Sequence, residues 1–93
     1  MDKDKVSRAI TIIWTRLLRS THTPIQSSQV TELKNALKAV EEEADENDLL
    51  GRRLLDFCDQ VRLSKVFDAR REPATGMESL IRTCDSLQKQ LKK

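Results

Sequence analysis

Ninety-three residues, 38% of them hydrophobic, fit one domain spanning 1–93 with a single small core, since a chain this short buries only about 60–65% of the surface it exposes when unfolded. Two glycines, two prolines, no tyrosine and no alternating apolar pattern exclude a strand-rich fold and predict an all-α, compact four- or five-helix bundle. The net charge is only +2, and the longest apolar run, Ile12 to Trp14, falls far below the roughly 18–20 residues that span a bilayer; with no signal-peptide pattern, an intracellular chain, nuclear or cytoplasmic, is expected.

The first helix is predicted to open at Asp2 or Asp4, where a carboxylate meets free amide hydrogens and the positive end of the helix dipole. Val6, Ile10, Ile13, Trp14, Leu17 and Leu18 then recur at three- and four-residue spacing and share one side. Ile12 falls about 200° from Ile10 at roughly 100° per residue and cannot share it. Trp14, the only tryptophan, lies within about 40° of Ile10 and is expected to anchor the core rather than to contact a partner.

"THTPIQ" separates the first two helices. Thr23 as cap, Pro24 at the first helical position and Gln26 completing a capping box give one start; Ser27 or Ser28, after a hitch, gives another. Val30, Leu33, Leu37, Val40 and Ala44, with Ala36 and Ala39 beside them, suit antiparallel packing on the first helix. The run "EEEADEND", Glu41 to Asp48, then closes the second helix with six acids and no base. Outside it the chain holds 17 basic against 9 acidic residues, an asymmetry that either orients a partner or belongs to a solvated helix end and loop.

A third helix is predicted from Asn47 or Asp48, with Leu50, Leu54, Phe57, Cys58 and Val61 on one side. After Val61 the phase breaks: Leu63, Val66 and Phe67 lie about 160–260° from Leu50. A break near Arg62 with Ser64 opening a short new segment is preferred over one continuous helix with two apolar faces, which would leave Leu63 and Phe67 wet. "REPATGMES" is the clearest boundary, because Pro73 disfavours helix at Glu72, and Thr75 with Glu78 forms a second potential capping box. Met77, Leu80, Ile81, Cys84, Leu87 and Leu91 give the last helix its stripe, and Lys89, Lys92 and Lys93 suit its carbonyl end.

Little here carries catalysis, which needs a nucleophile or acid–base group within reach of an orienting partner. His22 is the only histidine and stands between two threonines in a loop. Cys58 and Cys84 have no CxxC spacing and are too few for a disulfide framework, so both are expected to be small buried hydrophobes in a reducing compartment. Zinc on His22, Cys58 and Cys84 would lack any local ligand pair. There is no phosphate-cradling glycine loop, zincin helix or calcium loop. No enzyme activity, metal or cofactor is expected.

Nucleic acid is the stronger rival, since Arg62, Lys65, Arg70, Arg71 and Arg82 crowd the second half of the chain. A recognition helix, however, needs exposed polar and basic side chains aimed at base edges, and the helix after Gly51 instead carries Leu54, Leu55, Phe57 and Cys58. Protein recognition remains. Ile12, Leu55, Leu63, Val66 and Phe67 all fall outside the main stripes, and apolar groups gathered outside a core mark interaction surfaces; the alternative is that Val66 and Phe67 cap the core of a five-segment bundle. The expected partner-binding set is Ile12, Arg62, Leu63, Lys65, Val66, Phe67 and Arg70. It would receive a partner's apolar side chains beside Leu63, Val66 and Phe67, while Arg62, Lys65 and Arg70 meet an acidic flank. A homodimer through the heptad-like stripes of the second and last helices is the alternative.

"LLGRRLLDF", Leu49 to Phe57, resembles a signature in the N-terminal domain family of transcription elongation factor TFIIS, in which a Leu-Gly-basic triplet opens a helix. "CDSLQKQLKK" is similar to that family's last helix, with Cys84, Leu87, Leu91, Lys92 and Lys93 in the corresponding places. Related integrase-binding-type domains of chromatin adaptors share the bundle. The likeness covers about the last 60 residues. Leu91 stands where the family usually has tryptophan, Asp56 and Asp59 replace common basic residues, and the acidic linker is shorter. The resemblance implies a non-catalytic scaffold that grips short linear motifs of transcription or chromatin factors.

Overall fold

The computed structural model describes residues 1–67 and 76–92. It contains four α-helices, α1 (Lys3–Ser20), α2 (Ser27–Glu43), α3 (Leu49–Leu63) and α4 (Glu78–Leu91), and one 3₁₀ turn at Lys65–Phe67; the described residues include no strand. The all-α bundle is as expected. Its radius of gyration, 12.5 Å, is that of a close-packed chain of this length, about 12 Å by size scaling.

The first three helices each start where a side-chain acceptor takes up a loose amide. Asp2 caps α1, its carboxylate accepting from the Lys5 amide at 3.1 Å. The Asp2 amide in turn donates to Glu43 at 3.1 Å, and Lys5 lies 3.6 Å from the same carboxylate. At the other end Arg16 reaches Glu32 at 3.2 Å. Rising numbers on α1 therefore meet falling numbers on α2, and the two helices form an antiparallel hairpin.

The second helix begins after the hitch rather than at Pro24. Gln26 is its N-cap, in a reciprocal capping box with Gln29, whose side chain accepts from the Gln26 amide at 3.0 Å. The extended step drops Ile25 into the core. Ile25 and Val30 occupy the two positions of a hydrophobic staple, and both belong to the core cluster. Burying a side chain of that size contributes about 1.5–3 kcal/mol, more than the extra helical turn would return.

Asp48 caps α3 by accepting from the Gly51 amide at 3.4 Å. Gly51 sits where the chain folds back on itself: a Cβ there would fall on the Asp45 backbone carbonyl. Only glycine permits that approach. At the far end Ser64 adopts an extended conformation, its hydroxyl donating to the Val61 carbonyl at 2.6 Å and accepting from the Val66 amide at 3.4 Å. The helix breaks there, as the phase change predicted.

Val6, Ile10, Ile13 and Leu17 from α1 meet Leu33, Leu37 and Val40 from α2, Leu54, Phe57 and Val61 from α3, and Cys84 and Leu87 from α4 in one core. Trp14 packs against this core but stays half-buried, and Leu18 is exposed. The predicted α1 stripe was too wide: its buried centre is Val6, Ile10, Ile13 and Leu17, and Leu18, about 100° beyond Leu17, turns outward. The fourth helix starts at Glu78 with Met77 as N-cap and no side-chain cap, so Glu78 is its first residue rather than the third of a capping box; Thr75 lies outside the described residues. Gly76, at φ +73°, makes the turn into it.

Candidate functional site

Six of the seven residues expected to bind a partner are described, and they differ in exposure from Leu63 in the open to Val66 in the core. Leu63, the last residue of α3, is 88% exposed. Lys65 is exposed beside it, and Phe67 is half-buried against the core. Val66 is different: the 3₁₀ turn that frees Leu63 swings Val66 inward until it is wholly buried. It is a core residue, and its burial holds the turn in place. Arg70 lies outside the described residues.

Lys34, which the sequence reading did not single out, completes this end of the molecule. Its ammonium stands 5.9 Å from the centroid of the Phe67 ring, within the range where a cation is drawn to an aromatic face. Lys38 follows one turn along α2, also exposed. The available signal was the spacing of Lys34 and Lys38 away from the Val30–Leu33–Leu37 stripe. Which helix they would face across the bundle required the fold.

Arg62 is not free to meet a partner. Its guanidinium closes on Glu41 of α2 with two hydrogen bonds, Nε to Oε2 at 3.4 Å and Nη2 to Oε1. The Glu41 hydrogen bond is the largest of the influences that raise the Arg62 pKa, so the pair stays charged. Four of the five other acids of the Glu41–Asp48 run are similarly occupied. Glu42 and Glu43 face Lys5, Asp45 accepts from the Asn47 amide at 2.9 Å, and Asp48 caps α3. The charge asymmetry of the sequence is thus partly spent on holding α1, α2 and α3 together.

Ile12 lies elsewhere. It is half-buried and lines a groove of about 770 Å³ between α1 and α2, with Ala9, Ala36 and Ala39. Five of the six α2 positions on that groove, Ser28, Glu32, Asn35, Ala36 and Ala39, stand about 100–160° round the helix from Lys34, and Thr31 stands about 60° from it. The groove and the Lys34 side are neighbouring faces of α2 that meet at Thr31. Near the Ser20 end of α1 the Arg16 guanidinium, paired with Glu32, has its Nε and Nη1 buried without a hydrogen-bond partner among the described residues. That desolvation makes the pair a weak stabiliser.

Both cysteines are free and buried, with Cys58 Sγ donating to the Leu37 carbonyl at 3.9 Å and Cys84 Sγ to the Ile10 carbonyl at 3.6 Å. Burial pushes each thiol up to about 12, so neither presents a thiolate near neutral pH. His22 is exposed in the loop after α1. No three His, Cys, Asp or Glu side chains among the described residues are arranged to hold a metal ion, and no described helix is long and apolar enough to cross a membrane. No protein-family model matches this chain, and neither does any curated protein or solved structure.

Proposed function

We propose that this chain is a non-catalytic protein-recognition module that takes a short apolar segment with acidic flanks at the end of α3. The observation that carries the reading is the exposure of Leu63, 88%, at a fixed helix end. Leaving a leucine in water forgoes about 1.5–3 kcal/mol of burial, which a partner's apolar side chain recovers on docking. Phe67 supplies a second apolar contact, and Lys34, Lys38 and Lys65 supply positive charge without a carboxylate partner among the described ion pairs. Such a surface favours acidic flanks and repels basic ones.

A role in transcription elongation or chromatin complexes is part of the proposal and rests on the resemblance of "LLGRRLLDF" and "CDSLQKQLKK" alone. The packing of Gly51 on Asp45 supplies an independent reason for glycine at that place. Nucleic-acid binding is the competing reading, and Arg62, engaged by Glu41, supports it less than the sequence suggested.

Selection from a displayed library of random peptides tests the proposal. The expected winners carry Leu or Phe flanked by Asp and Glu, bind with affinity that falls as salt rises, and lose binding to Leu63→Asp while that variant keeps its helical circular dichroism. Peptides that bind Leu63→Asp as well as the parent chain, or tighter binding to duplex DNA than to any peptide, would overturn it.

A further inference from the structure

We propose that the Arg62–Glu41 pair is a built-in latch on the recognition surface: Glu41 takes the place of a partner's acidic side chain, and a partner carboxylate displaces it from Arg62. Resting on the recognition role of the α3 end, the latch adds regulation and selectivity to that same surface.

Placement is the first ground. Round α2, at about 100° per residue, Lys38 stands about 40° from Lys34 on one side and Glu41 about 20° from it on the other, so they form one row about 10 Å long. Arg62 touches this row at Glu41, and Phe67 touches it at Lys34. The chain from Arg62 to Phe67 therefore runs beside the row, with exposed Leu63 and Lys65 between the two contacts. Lys34, Lys38, Arg62 and Lys65 make the surface basic, and Glu41 is the carboxylate set into it. Asp59, one turn before Arg62 on α3, adds negative charge nearby but makes no ion pair with it among the described residues.

Chemistry is the second ground, because the group already bound shows what Arg62 selects. The guanidinium meets the Glu41 carboxylate through both Nε and Nη2, a fork that any Asp or Glu side chain can satisfy. Exchanging Glu41 for a partner's carboxylate replaces those bonds like for like. A segment without acids leaves the latch shut and meets only Leu63 and Phe67.

Exposure sets the strength. The two side chains are 39% and 29% accessible, so water reaches the pair and it can open without unfolding the helices. Such a pair favours its closed form by about 1.4- to 5-fold, which leaves roughly 15–40% of molecules open. Apparent affinity for an acidic partner falls by that open fraction, about two- to sixfold.

Calorimetry of the full chain reads the outcome with two synthetic peptides: one with a central leucine flanked by Asp and Glu, and a copy with Asn and Gln in their places. Glu41→Gln should tighten the acidic peptide about two- to sixfold and leave the neutral copy as in the parent. Glu42→Gln, which removes the same charge from a neighbour facing Lys5, should tighten neither. In an Arg62→Gln background, Glu41→Gln should give no gain. If Glu41→Gln loses helix by circular dichroism, the Arg62 Nε–H proton resonance of the parent reports the exchange instead, shifting with the acidic peptide and not with the neutral copy. Equal tightening by Glu41→Gln and Glu42→Gln, tightening that persists without Arg62, or an unmoved Arg62 resonance in the peptide-bound parent overturns the latch and leaves the recognition reading intact. An acidic peptide that binds neither the parent nor Glu41→Gln overturns both.

Discussion

Replacing Gly51 by alanine reverses an ordinary rule. Within a helix the exchange of glycine for alanine stabilises by roughly 0.5–1 kcal/mol, because alanine loses less backbone entropy on folding. Gly51 is the third residue of α3, so on propensity alone Gly51→Ala should raise stability. Packing decides otherwise, since the added methyl would land on the carbonyl of Asp45, a backbone group that cannot swing aside as a flexible side chain would. Relief requires the α2–α3 connection to move, which strains the Asp48 cap on the Gly51 amide and the Asp48 amide's bond to the Asp45 carbonyl at 3.1 Å. Overpacking of this kind costs about 1–3 kcal/mol, with up to about another 1 kcal/mol if the cap is lost. Because the obstacle is backbone the overpacking cost lies in the upper part of that range, about 2–3 kcal/mol, so after the propensity gain the net loss is about 1–3 kcal/mol, a fall of about 5–20 °C in Tm for a domain of this size. Thermal and urea denaturation followed by circular dichroism measure it. A Gly51→Ala variant as stable as the parent, or more so, would refute the close approach.

Val66→Ala should cost about 1.5–3 kcal/mol in urea unfolding because Val66 is wholly buried, whereas Leu63→Ala, three residues earlier, should change stability by no more than about 0.5 kcal/mol. Native Cys58 and Cys84 should resist a thiol reagent at pH 8 and both react once the chain is unfolded. Because folding raises their pKa values from about 9 to about 12, the folded state holds those protons more tightly; the stability this contributes is intact below about pH 9 and is lost as pH rises toward 12, as alkaline titration of the unfolding midpoint will show. Glu41→Gln should lower stability by less than about 1 kcal/mol, the worth of a partly exposed ion pair, and by releasing Arg62 should tighten binding of an acidic peptide measured by calorimetry.

The helices were legible because their signals are local. Asp2 and Asp48 cap where carboxylates meet free amides, and the phase change after Val61 marks the break that Ser64 makes with its own hydroxyl. The fate of residues beyond the break was not legible in the same way. Leu63 and Val66 both depart from the α3 stripe, yet one is exposed and the other buried, because the 3₁₀ turn changes direction in a manner that helical angles do not describe. Ile12 was correctly separated from the α1 stripe, but its grouping with Leu63 was an assumption about tertiary placement; the groove that Ile12 lines includes none of Leu63, Lys65 or Phe67. Arg62 shows a further limit: its partner Glu41 lies 21 residues away, inside a run whose excess charge suggested an outside role. Trp14, within about 40° of Ile10 in the middle of the predicted stripe and expected to anchor the core, instead packs half-buried at its edge.

The recognition claim is tested most directly by nitrogen-15 chemical-shift mapping of the full chain while a selected Leu- or Phe-containing acidic peptide is added. The account predicts that the amides of Leu63, Lys65 and Phe67, with Lys34 and Lys38 across from them, shift together and saturate, and that Ile12 and Ala39 do not move. Shifts centred on Ile12 and Ala39, or no saturable shift at the end of α3, would contradict it.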